Sequence, residues 1–480
     1  RHFLAHEPVT ARPPGTLYRL SKFVRKNRAA SLATALVLLS IIAAAIVSTA
    51  MAIREGKARS AEASQRQRAD AATRETRRAF SHSDLLSAEN HLAQGQPGNA
   101  VAFLARALRT DPENDAAQRK LLNTLARFSF PQPTREPFRL DDRPSLLALD
   151  PGGQRILATS ARGQAVLLDQ ANGNLLTEIH FPATGYTPSA TNLKLTHLAL
   201  ATKQGLIHHY ELTSGSLIAS YQVPDPVLLR SLALSPSGTA LYSASHDGGV
   251  RAWSPKNQVP LWTYRHTERA VCLDVSTDGS RLLAGFGDGS VALLDTGTGK
   301  LLAQKKCHSA IIVQIKFLPG SGRFATASWD STARIWNSAN ISPVTPPLRH
   351  DKAIYHLSVS PCGSRIATSS YDKTARVWDT FTGALHGQPL THRDHVYFSN
   401  FSPDGSRLVT ASRDRTVRLW DPYRGKEISA PIHHNEATAS ALFTADGLHL
   451  VTTSRDRDLN HWDITPRQAA SLAFPHKNPV

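Results

Sequence analysis

The longest apolar stretch of the chain covers residues 29–53, and serine and threonine are its only polar residues. Its 25 residues contain no charged side chain. A helix of that length extends roughly 37 Å, which exceeds the ~30 Å hydrocarbon core of a bilayer. A buried helix of a soluble protein usually shows a polar face, and the apolar core of a signal peptide is shorter. The pattern therefore predicts one transmembrane helix over 29–53.

The next segment, 54–129, is predicted to be a helical stem. Residues 54–93 are rich in alanine, arginine, glutamate and glutamine, contain no proline, and favour a solvated helix. Small and apolar residues in 83–128 resemble the second helix of a tetratricopeptide unit and predict one helical hairpin; they are Ala100, Leu104, Ala107 and Pro112. A weak alanine recurrence in the stem leaves dimerisation through it open.

A proline-rich stretch, 130–144, follows the stem and predicts a linker, since proline interrupts regular structure. Beyond it the pattern changes to short runs of alternating apolar residues separated by turns. In residues 397–420, for example, the runs 397–401, 408–412 and 417–420 are separated by turns at 402–405 and 413–415. A fourth run follows Gly425. Four strands in about 42 residues form one blade of a propeller.

Marker residues repeat through this region with a period of 42. The tryptophans of the clearest units are Trp253, Trp336, Trp378, Trp420 and Trp462. The histidines are His266, His308, His350, His392, His434 and His476, and the aspartates are Asp288, Asp330, Asp372, Asp414 and Asp456. Leu294, Tyr210 and Leu168 occupy the tryptophan position in the remaining units. The repeats therefore predict eight units over 145–480.

These markers closely resemble the WD40 repeat family: a Trp-Asp pair, a histidine near each unit start and an aspartate in the turn before the third strand. The resemblance implies an all-β propeller of seven or eight four-stranded blades, preceded by the transmembrane helix and the α-helical stem. It also implies a structural network in each blade between histidine, serine or threonine, aspartate and tryptophan. The expected members are His350, Asp372 and Trp378; His392, Asp414 and Trp420, with Thr410 or Ser412; and His434, Asp456 and Trp462.

Two questions about the ring stay open at this stage. Eight units allow an eight-bladed ring. Seven blades are commoner in the family, and in that case one unit is degenerate or belongs to a second propeller; the first two units lack most markers. His476 and Val480 match the start of a unit, so either more blades follow or this last strand closes the ring against the first blade.

No catalytic, cofactor-binding or metal-binding residues are predicted in this chain, and the part present is not expected to be an enzyme. His392-Arg393-Asp394 resembles a kinase catalytic loop, but Ser399 stands where that loop requires asparagine. The recurrent histidines lie in different blades, so a structural role is favoured over metal binding. Propeller proteins of this family imply protein partners on a face of the disc, and the partner-binding residues stay unknown.

The charge distribution first allows nucleic acid, an anionic membrane or solvation as explanations. The chain carries 55 Lys+Arg and 38 Asp+Glu. Residues 1–28 hold 7 basic and 1 acidic residues, and 54–80 hold 8 and 4, so the excess flanks the apolar helix. No nucleic-acid partner is expected, because aromatic residues do not interleave with the basic ones. Basic turns around Arg413 and Arg455 suit an acidic partner or are neutralised by Asp414, Asp456 and Asp458.

The first 28 residues, a basic juxtamembrane segment, resemble a specific junction. Phe3-Leu4-Ala5-His6-Glu7-Pro8-Val9, then Ala11-Arg12-Pro13-Pro14, resembles the segment after the catalytic domain of bacterial membrane-anchored Ser/Thr protein kinases of planctomycete and verrucomicrobial type. In that group a membrane helix, a stalk and tetratricopeptide or WD40 repeats follow in the order found here. The resemblance implies a kinase domain before Arg1. A non-kinase membrane scaffold, or the WD40 part of a signalling ATPase, are the alternatives.

The same resemblance implies signal transduction at the bacterial inner membrane, crossed once. Basic residues are denser before the helix (Arg19, Lys22, Arg25, Lys26 and Arg28) than just after it (Arg54, Lys57 and Arg59). Because basic residues favour the cytoplasmic side, the N-terminal side is expected in the cytoplasm and the propeller outside it.

Overall fold

The computed structural model describes residues 15–26, 28–93, 97–127, 130–182, 188–192, 194–224 and 228–465. The junction motif within residues 1–14, and His476 and Val480, lie outside the described residues. Contacts divide the chain into two compact units, one of residues 1–83 with 110–112 and one of residues 84–109 with 113–480. The helices are α1 (Thr16–Lys26), α2 (Arg28–Ala93), α3 (Pro97–Thr110) and α4 (Asp115–Arg127).

The long helix α2 includes both the apolar run 29–53 and most of the expected stalk. Within the described residues, α2 is the one helix long and apolar enough to cross a membrane. The side chains of residues 32–80 are exposed, and i,i+4 pairs such as Glu62–Arg66 (2.8 Å) lie on the charged part. The final turns of α2 pack with α3 and α4 around buried Ala88, Ala100 and Leu104.

All 34 described strands belong to eight sheets, and in blades 1 to 7 chain order runs outward from the ring centre. The first four blades are β3 (Pro144–Leu149), β4 (Arg155–Ser160), β5 (Gln164–Asp169), β6 (Leu175–His180); β7 (Ser189–Thr191), β8 (His197–Ala201), β9 (Leu206–Glu211), β10 (Leu217–Gln222); β11 (Leu229–Leu234), β12 (Leu241–Ser245), β13 (Gly249–Ser254), β14 (Asn257–Arg265); and β15 (Ala270–Val275), β16 (Arg281–Phe286), β17 (Ser290–Asp295), β18 (Leu301–Lys306). The two least certain units of the sequence are therefore complete blades.

Blades 5 to 7 continue the pattern with β19 (Ile312–Leu318), β20 (Arg323–Ser328), β21 (Thr332–Asn337), β22 (Leu348–Arg349); β23 (Ile354–Val359), β24 (Arg365–Ser370), β25 (Thr374–Asp379), β26 (Leu385–Thr391); and β27 (Val396–Phe401), β28 (Leu408–Ser412), β29 (Thr416–Asp421), β30 (Lys426–Glu427), β31 (Ile432–His433). Blade 8 has β32 (Thr438–Phe443), β33 (His449–Ser454) and β34 (Asp458–Asp463) from the end of the described chain. The described residues thus contain eight blades, which settles the choice between seven and eight.

The outer edge of blade 8 comes from the start of the propeller region. Two short strands, β1 (Gln132–Pro133) and β2 (Phe138–Arg139), pair antiparallel with β34. We call residues 130–143 the closing segment. The expected linker is therefore part of a blade, and the expected closure by a strand after His476 lies outside the described residues. Proline is tolerated in an outermost strand, because one edge of such a strand needs no ladder hydrogen bonds. The same prolines make the segment resemble a linker in sequence.

The core lies between consecutive blades. One cluster joins Ile207 and Tyr221 of blade 2 to Leu232 and Trp253 of blade 3. The ring closes in the same way, because Leu140 of the closing segment packs with residues of blade 1 (Ile156, Val166) and blade 8 (Val451, Leu459). Each strand pair buries its apolar side chains against the neighbouring sheet, so the fold needs every blade to have both neighbours.

Strand order defines two faces of the ring. Turns between the second and third strands lie on the same face as the connections that enter each inner strand, because the strands of a blade alternate in direction. We call this the entry face. The turns there need one residue in the left-handed region; these are Gly163, Gly205, Gly248 and Gly289 in blades 1 to 4, and Ser331, Lys373, Arg415 and Arg457 in blades 5 to 8.

Candidate functional site

A buried chain of hydrogen bonds joins tryptophan to aspartate in blade 7. Trp420 Nε1 donates to Thr410 Oγ1 at 2.7 Å, and Thr410 Oγ1 lies 2.7 Å from His392 Nε2. His392 Nδ1 lies 3.1 Å from Asp414 Oδ2. Because a carboxylate only accepts, Nδ1 carries the proton, and the neutral ring accepts at Nε2 from the threonine hydroxyl. Thr410 rather than Ser412 is the network member.

The same network recurs in blades 5 and 6. In blade 5, His308 lies 2.9 Å from Asp330 and 2.7 Å from Thr326, and Trp336 donates to Thr326 at 2.9 Å. In blade 6, His350 lies 2.7 Å from both Asp372 and Thr368, and Trp378 donates to Thr368 at 2.9 Å. The expected residues of blades 6 and 7 are thus brought together as the repeat markers imply. The marker period also placed His308 and its partners, which form an equally complete network.

Burial decides what these networks do. Burial lowers the pKa of both His350 and His392, although their aspartates act in the opposite direction. Burial alone would raise the pKa of Asp414, but hydrogen bonds from His392 and Thr416 hold it well below its usual range. A neutral imidazole clamped on both nitrogens is available neither as a base nor as a ligand. The networks therefore fix the turns of the entry face rather than perform chemistry.

Blade 8 carries an incomplete network. Trp462 Nε1 and His434 Nε2 lie 2.9 and 3.1 Å from Thr452 Oγ1, but no described hydrogen bond joins His434 to Asp456. The expected set His434, Asp456 and Trp462 is thus only partly brought together. In blades 5 to 7 a threonine two residues after the aspartate donates to it at 2.6–2.7 Å. Asp458 occupies that position here, and its ionised carboxylate cannot donate.

Replacement of Asp458 by threonine is expected to complete the blade 8 network. The Asp458→Thr variant supplies the missing hydroxyl and removes a carboxylate whose pKa is raised by burial and by Asp456. We expect a gain of about 1 kcal/mol in the free energy of unfolding, measured by chemical denaturation. Asp351→Thr, at an exposed loop position, is the control and should change little. A loss of stability in Asp458→Thr would contradict this account.

Blades 3 and 4 use other side chains in place of the network. In blade 3 the nearly inaccessible guanidinium of Arg251 pairs with Asp247 at 2.5 Å, and Trp253 donates to Ser243 at 2.9 Å. In blade 4 the repeat marker His266 stacks on Phe286, with ring centroids 4.1 Å apart. His266 Nδ1 also accepts from the backbone N–H of Glu268 at 3.0 Å, so this marker both packs and bonds within the structure. Among the described residues, no group of three His, Cys, Asp or Glu side chains is placed to hold a metal ion.

Buried histidines are expected to make the protein acid-sensitive. Burial lowers the pKa of His356 to about 3 and of His209, His434 and His461 to about 4. They stay neutral when folded but take protons when unfolded below about pH 6.5, so stability is lost as pH falls from about 6.5 towards about 4. Burial raises the pKa of Glu427 to about 7, which opposes one histidine in this window.

The measurement is the free energy of unfolding as a function of pH, for the wild type and two variants, and the slope is the change of this free energy per pH unit. Neither ring nitrogen of buried His209 has a hydrogen-bond partner among the described residues, so His209→Leu removes one titrating group without breaking a bond. We expect it to reduce the slope by up to about 1.4 kcal/mol per pH unit. His246→Gln, at an exposed position, is the matched surface substitution for comparison. Equal slopes for wild type and His209→Leu would refute the assignment.

The entry face opens into a central cavity of 740 Å³. Its walls come from the inner strands of blades 1, 6, 7 and 8, and its rim carries Arg143, Tyr355, Tyr397 and Arg455. Tyr355 contacts Tyr397 and also Tyr371, with ring centroids 5.2 and 5.6 Å apart. We call these five residues the channel rim. Repeat analysis missed it, although Tyr355 and Tyr397 are 42 residues apart and so occupy equivalent positions in adjacent blades.

In the part of the chain that the structure describes, the arginines of the basic turns around Arg413 and Arg455 do not pair with the neighbouring aspartates that the sequence suggested. Arg455 lies over the Tyr397 ring, 5.7 Å from its centroid, and Arg413 pairs with Asp394 at 3.7 Å. Asp414, which neighbours Arg413 in sequence, is instead held by His392. Arg455 therefore belongs with the aromatic rim, where it adds a cation beside exposed tyrosine surface.

The closed ring and its Trp–Thr–His–Asp networks define a WD40-type β-propeller. The family "WD domain, G-beta repeat" matches residues 215–254, 258–295, 299–337, 344–379 and 387–421. Each matched repeat begins near the start of the outer strand of one blade and ends with the third strand of the next. The chain therefore contains WD40 repeats that interlock neighbouring blades, and the closing segment supplies the outer strand that blade 8 needs.

Curated proteins similar to the chain share only part of it. The rat "Apoptotic protease-activating factor 1" is 24% identical over 33% of this chain and 13% of its own length. "Protein groucho" of Drosophila melanogaster is 35% identical over 17% of this chain and 11% of its own length. "Pre-rRNA-processing protein crb3/ipi3" of Schizosaccharomyces pombe is 30% identical over 31% of this chain and 37% of its own length. The chain thus spans well under half of each relative.

A solved structure supports the architecture. The computationally designed Ika8 protein superposes with a TM-score of 0.60 at 18% identity, covering 68% of this chain and 98% of that one. At this identity the likeness concerns the fold alone. WD40 propellers are typically non-catalytic platforms that bind proteins, and we describe this propeller as a protein-interaction module.

Proposed function

We propose that the chain is a membrane-tethered interaction or sensor module whose protein partner docks on the channel rim. The observation that carries this proposal is the 740 Å³ cavity at the centre of the entry face, bordered by tyrosines and arginines. Tyrosine and arginine contribute most strongly to protein interfaces, because they bury large areas and retain polar contacts. The rigid networks of blades 5 to 7 hold the turns beside this surface.

The chemistry of the rim favours an extended partner segment with aromatic and acidic side chains. Tyr355 is 45% exposed, so its ring offers a stacking surface to an incoming side chain. Arg143 and Arg455 would pair with carboxylates, since guanidinium groups bind them in a bidentate way.

The test is capture of partners from the native membrane by the full chain, followed by comparison of affinities. The double variant Tyr355→Ala, Tyr397→Ala should weaken binding at least about tenfold, which corresponds to 1.4 kcal/mol. Phe381→Ala with Tyr423→Ala is the matched control, because these exposed aromatics lie in turns between third and fourth strands, on the opposite face. Equal binding by the rim variant and wild type would refute the rim as the docking surface.

Membrane tethering rests on the apolar run within α2, which is long enough to cross a bilayer. We expect the chain to stay in the membrane fraction after alkaline extraction and to be released only by detergent. Replacement of Leu38 and Ile42 by arginine should release it, whereas Ala61→Arg and Ala72→Arg in the charged part should not. Release of the wild type by alkali alone would refute a spanning helix.

Orientation and self-association form separate parts of the proposal. The basic residues before the helix support an N-terminal side in the bacterial cytoplasm and a propeller beyond the inner membrane. Protease added to spheroplasts should then degrade the propeller, and protection of the propeller would reverse the orientation. The exposed stem helix is available for dimerisation, which crosslinking of the full chain in detergent would detect as a dimer.

Kinase parentage is supported by the junction motif and the order of segments. We propose that the module is the extracatalytic half of a receptor-like Ser/Thr protein kinase. The reading frame before Arg1 should then encode a glycine-rich loop, a strand lysine, an HRDxxxxN loop and a DFG motif. A start codon just before Arg1 would favour the non-kinase scaffold, and a phosphate-binding loop would favour a signalling ATPase.

A further inference from the structure

A second cleft, of 520 Å³, lies where the ring closes. Its walls come from three parts of the chain: the closing segment (Thr134, Arg135), blade 1 (Gln170, Asn172) and blade 8 (His461, with Asp446 and His449). We call it the closure cleft. It is distinct from the channel rim and uses none of the rim residues.

Three residues that line the closure cleft each have a buried polar atom without a hydrogen-bond partner among the described residues. The atoms are Arg135 Nη2, His461 Nε2 and Gln170 Oε1. His461 is only 7% exposed. A buried polar group left unpaired is destabilising, so such groups normally bind a water, an ion or a ligand.

The remaining atoms of these side chains are already fixed. Arg135 Nη1 donates to the carbonyl oxygen of Gln170 at 3.0 Å, and Thr134 Oγ1 lies 2.7 Å from His461 Nδ1. The Thr134 hydroxyl donates to the carbonyl oxygen of His461 at 3.2 Å, so His461 Nδ1 carries the proton of the neutral ring and donates to Thr134 Oγ1. Nε2 becomes an N–H donor when the ring takes up a second proton, and Arg135 and His461 then offer two N–H donors from different strands.

Charge favours an anionic ligand here. Asp446 accepts from Thr444 Oγ1 and Leu448 N at 2.5 and 2.8 Å and lies 3.1 Å from His449 Nδ1, so its carboxylate is already engaged. Arg135 is the permanently charged cation of the lining and excludes a metal ion. The volume suits a small molecule rather than water alone, because ligand cavities range over roughly 300–1,000 Å³.

We propose that the closure cleft binds a small organic molecule that carries a carboxylate or phosphate group. The oxygens of this group accept hydrogen bonds from Arg135 Nη2 and His461 Nε2, and a donor on the ligand meets Gln170 Oε1. Because the ligand contacts the closing segment, blade 1 and blade 8 together, its binding stabilises ring closure. The propeller would thus bind a small molecule as well as a protein.

Ligand binding is expected to be linked to proton uptake. The charged and titratable groups around His461 are Arg135, His449, Asp446 and Asp463, and burial, Arg135 and His449 together lower its pKa to about 4 against the two aspartates. An anion at Nε2 favours the imidazolium form and raises this pKa. Affinity should therefore increase as pH falls.

The test uses the full chain in detergent micelles. Thermal unfolding is followed with inorganic phosphate, with succinate and with sodium chloride at matched ionic strength. We expect a saturable rise in Tm with phosphate or succinate beyond that with chloride, because a ligand stabilises the state it binds. The responding probe distinguishes phosphate from carboxylate recognition. No saturable response to either probe, or an equal response to chloride, would overturn the proposal.

Variants locate the response. Arg135→Gln should abolish it, whereas Arg139→Gln, at an exposed position of the same closing segment outside the cleft, should retain it. Calorimetric titration well below Tm measures the same loss if Arg135→Gln is less stable. Between about pH 7 and about pH 5 the wild type should gain more affinity for succinate than His461→Gln, because only the wild type adds proton uptake by the imidazole to the titration of succinate itself. A wild-type response in Arg135→Gln would refute the site.

Discussion

A chain shortened to begin at Pro144 is expected to lose at least about 3 kcal/mol of stability, because blade 8 then lacks its outer strands. Leu140 is 2% exposed between blades 1 and 8, and loss of a buried leucine alone costs about 2–5 kcal/mol. Backbone hydrogen bonds also disappear, among them those from Thr134 N to His461 O and from Leu140 N to Arg457 O, both 2.9 Å.

The measurement is chemical denaturation of two shortened chains. One begins at Phe130 and keeps the closing segment, and the other begins at Pro144, close to the domain boundary that repeat analysis gives. Only the second should unfold at lower denaturant concentration and aggregate through the exposed edge of β34. The full-length Leu140→Ala variant should show part of the same loss. Equal stability of the two chains would mean that the closing segment is dispensable.

Substitution of Thr410 by valine is expected to destabilise blade 7 by about 3 kcal/mol. Valine has nearly the shape of threonine, so packing is kept while two bonds are lost. Trp420 Nε1 then lacks its acceptor and His392 Nε2 lacks its donor, and each buried unpaired group costs about 1–3 kcal/mol. The free energy of unfolding from denaturant titration measures the effect.

Controls separate the network from general sensitivity. Thr391→Val, at an exposed position of β26, should change stability by less than about 0.5 kcal/mol. Asp414→Asn should cost more than Asp456→Asn, because Asp414 holds a histidine and Asp456 does not. Similar costs for the two aspartates would contradict the described difference between blades 7 and 8.

Much of the fold could be predicted because the 42-residue period marks the third strand of each blade. Trp378, Trp420 and their histidines occupy equivalent places in successive blades, so spacing alone locates the strands. The family resemblance also named the partners within a blade. Residue type and spacing were sufficient to predict these partners, because the network needs a carboxylate, an imidazole, a hydroxyl and the tryptophan N–H at fixed separations along the chain.

The other features depend on contacts between distant parts of the chain. The closing segment pairs with β34 more than 300 residues later, and its prolines conceal its strand character. Blade 8 differs from blade 7 through one carboxylate at Asp458, a change that leaves the marker period intact. The channel rim and the closure cleft combine residues from several blades, and no single repeat contains either site.

The position of the closing segment also determines how the ring responds to force. The segment follows α4 and precedes blade 1, so tension transmitted along the chain from the apolar helix reaches β1 and β2 before any other strand. These strands have two residues each and pair only with β34 on one side. Under load they would detach first and open the ring at blade 8, so this short ribbon would be the weakest connection between the stem and the propeller.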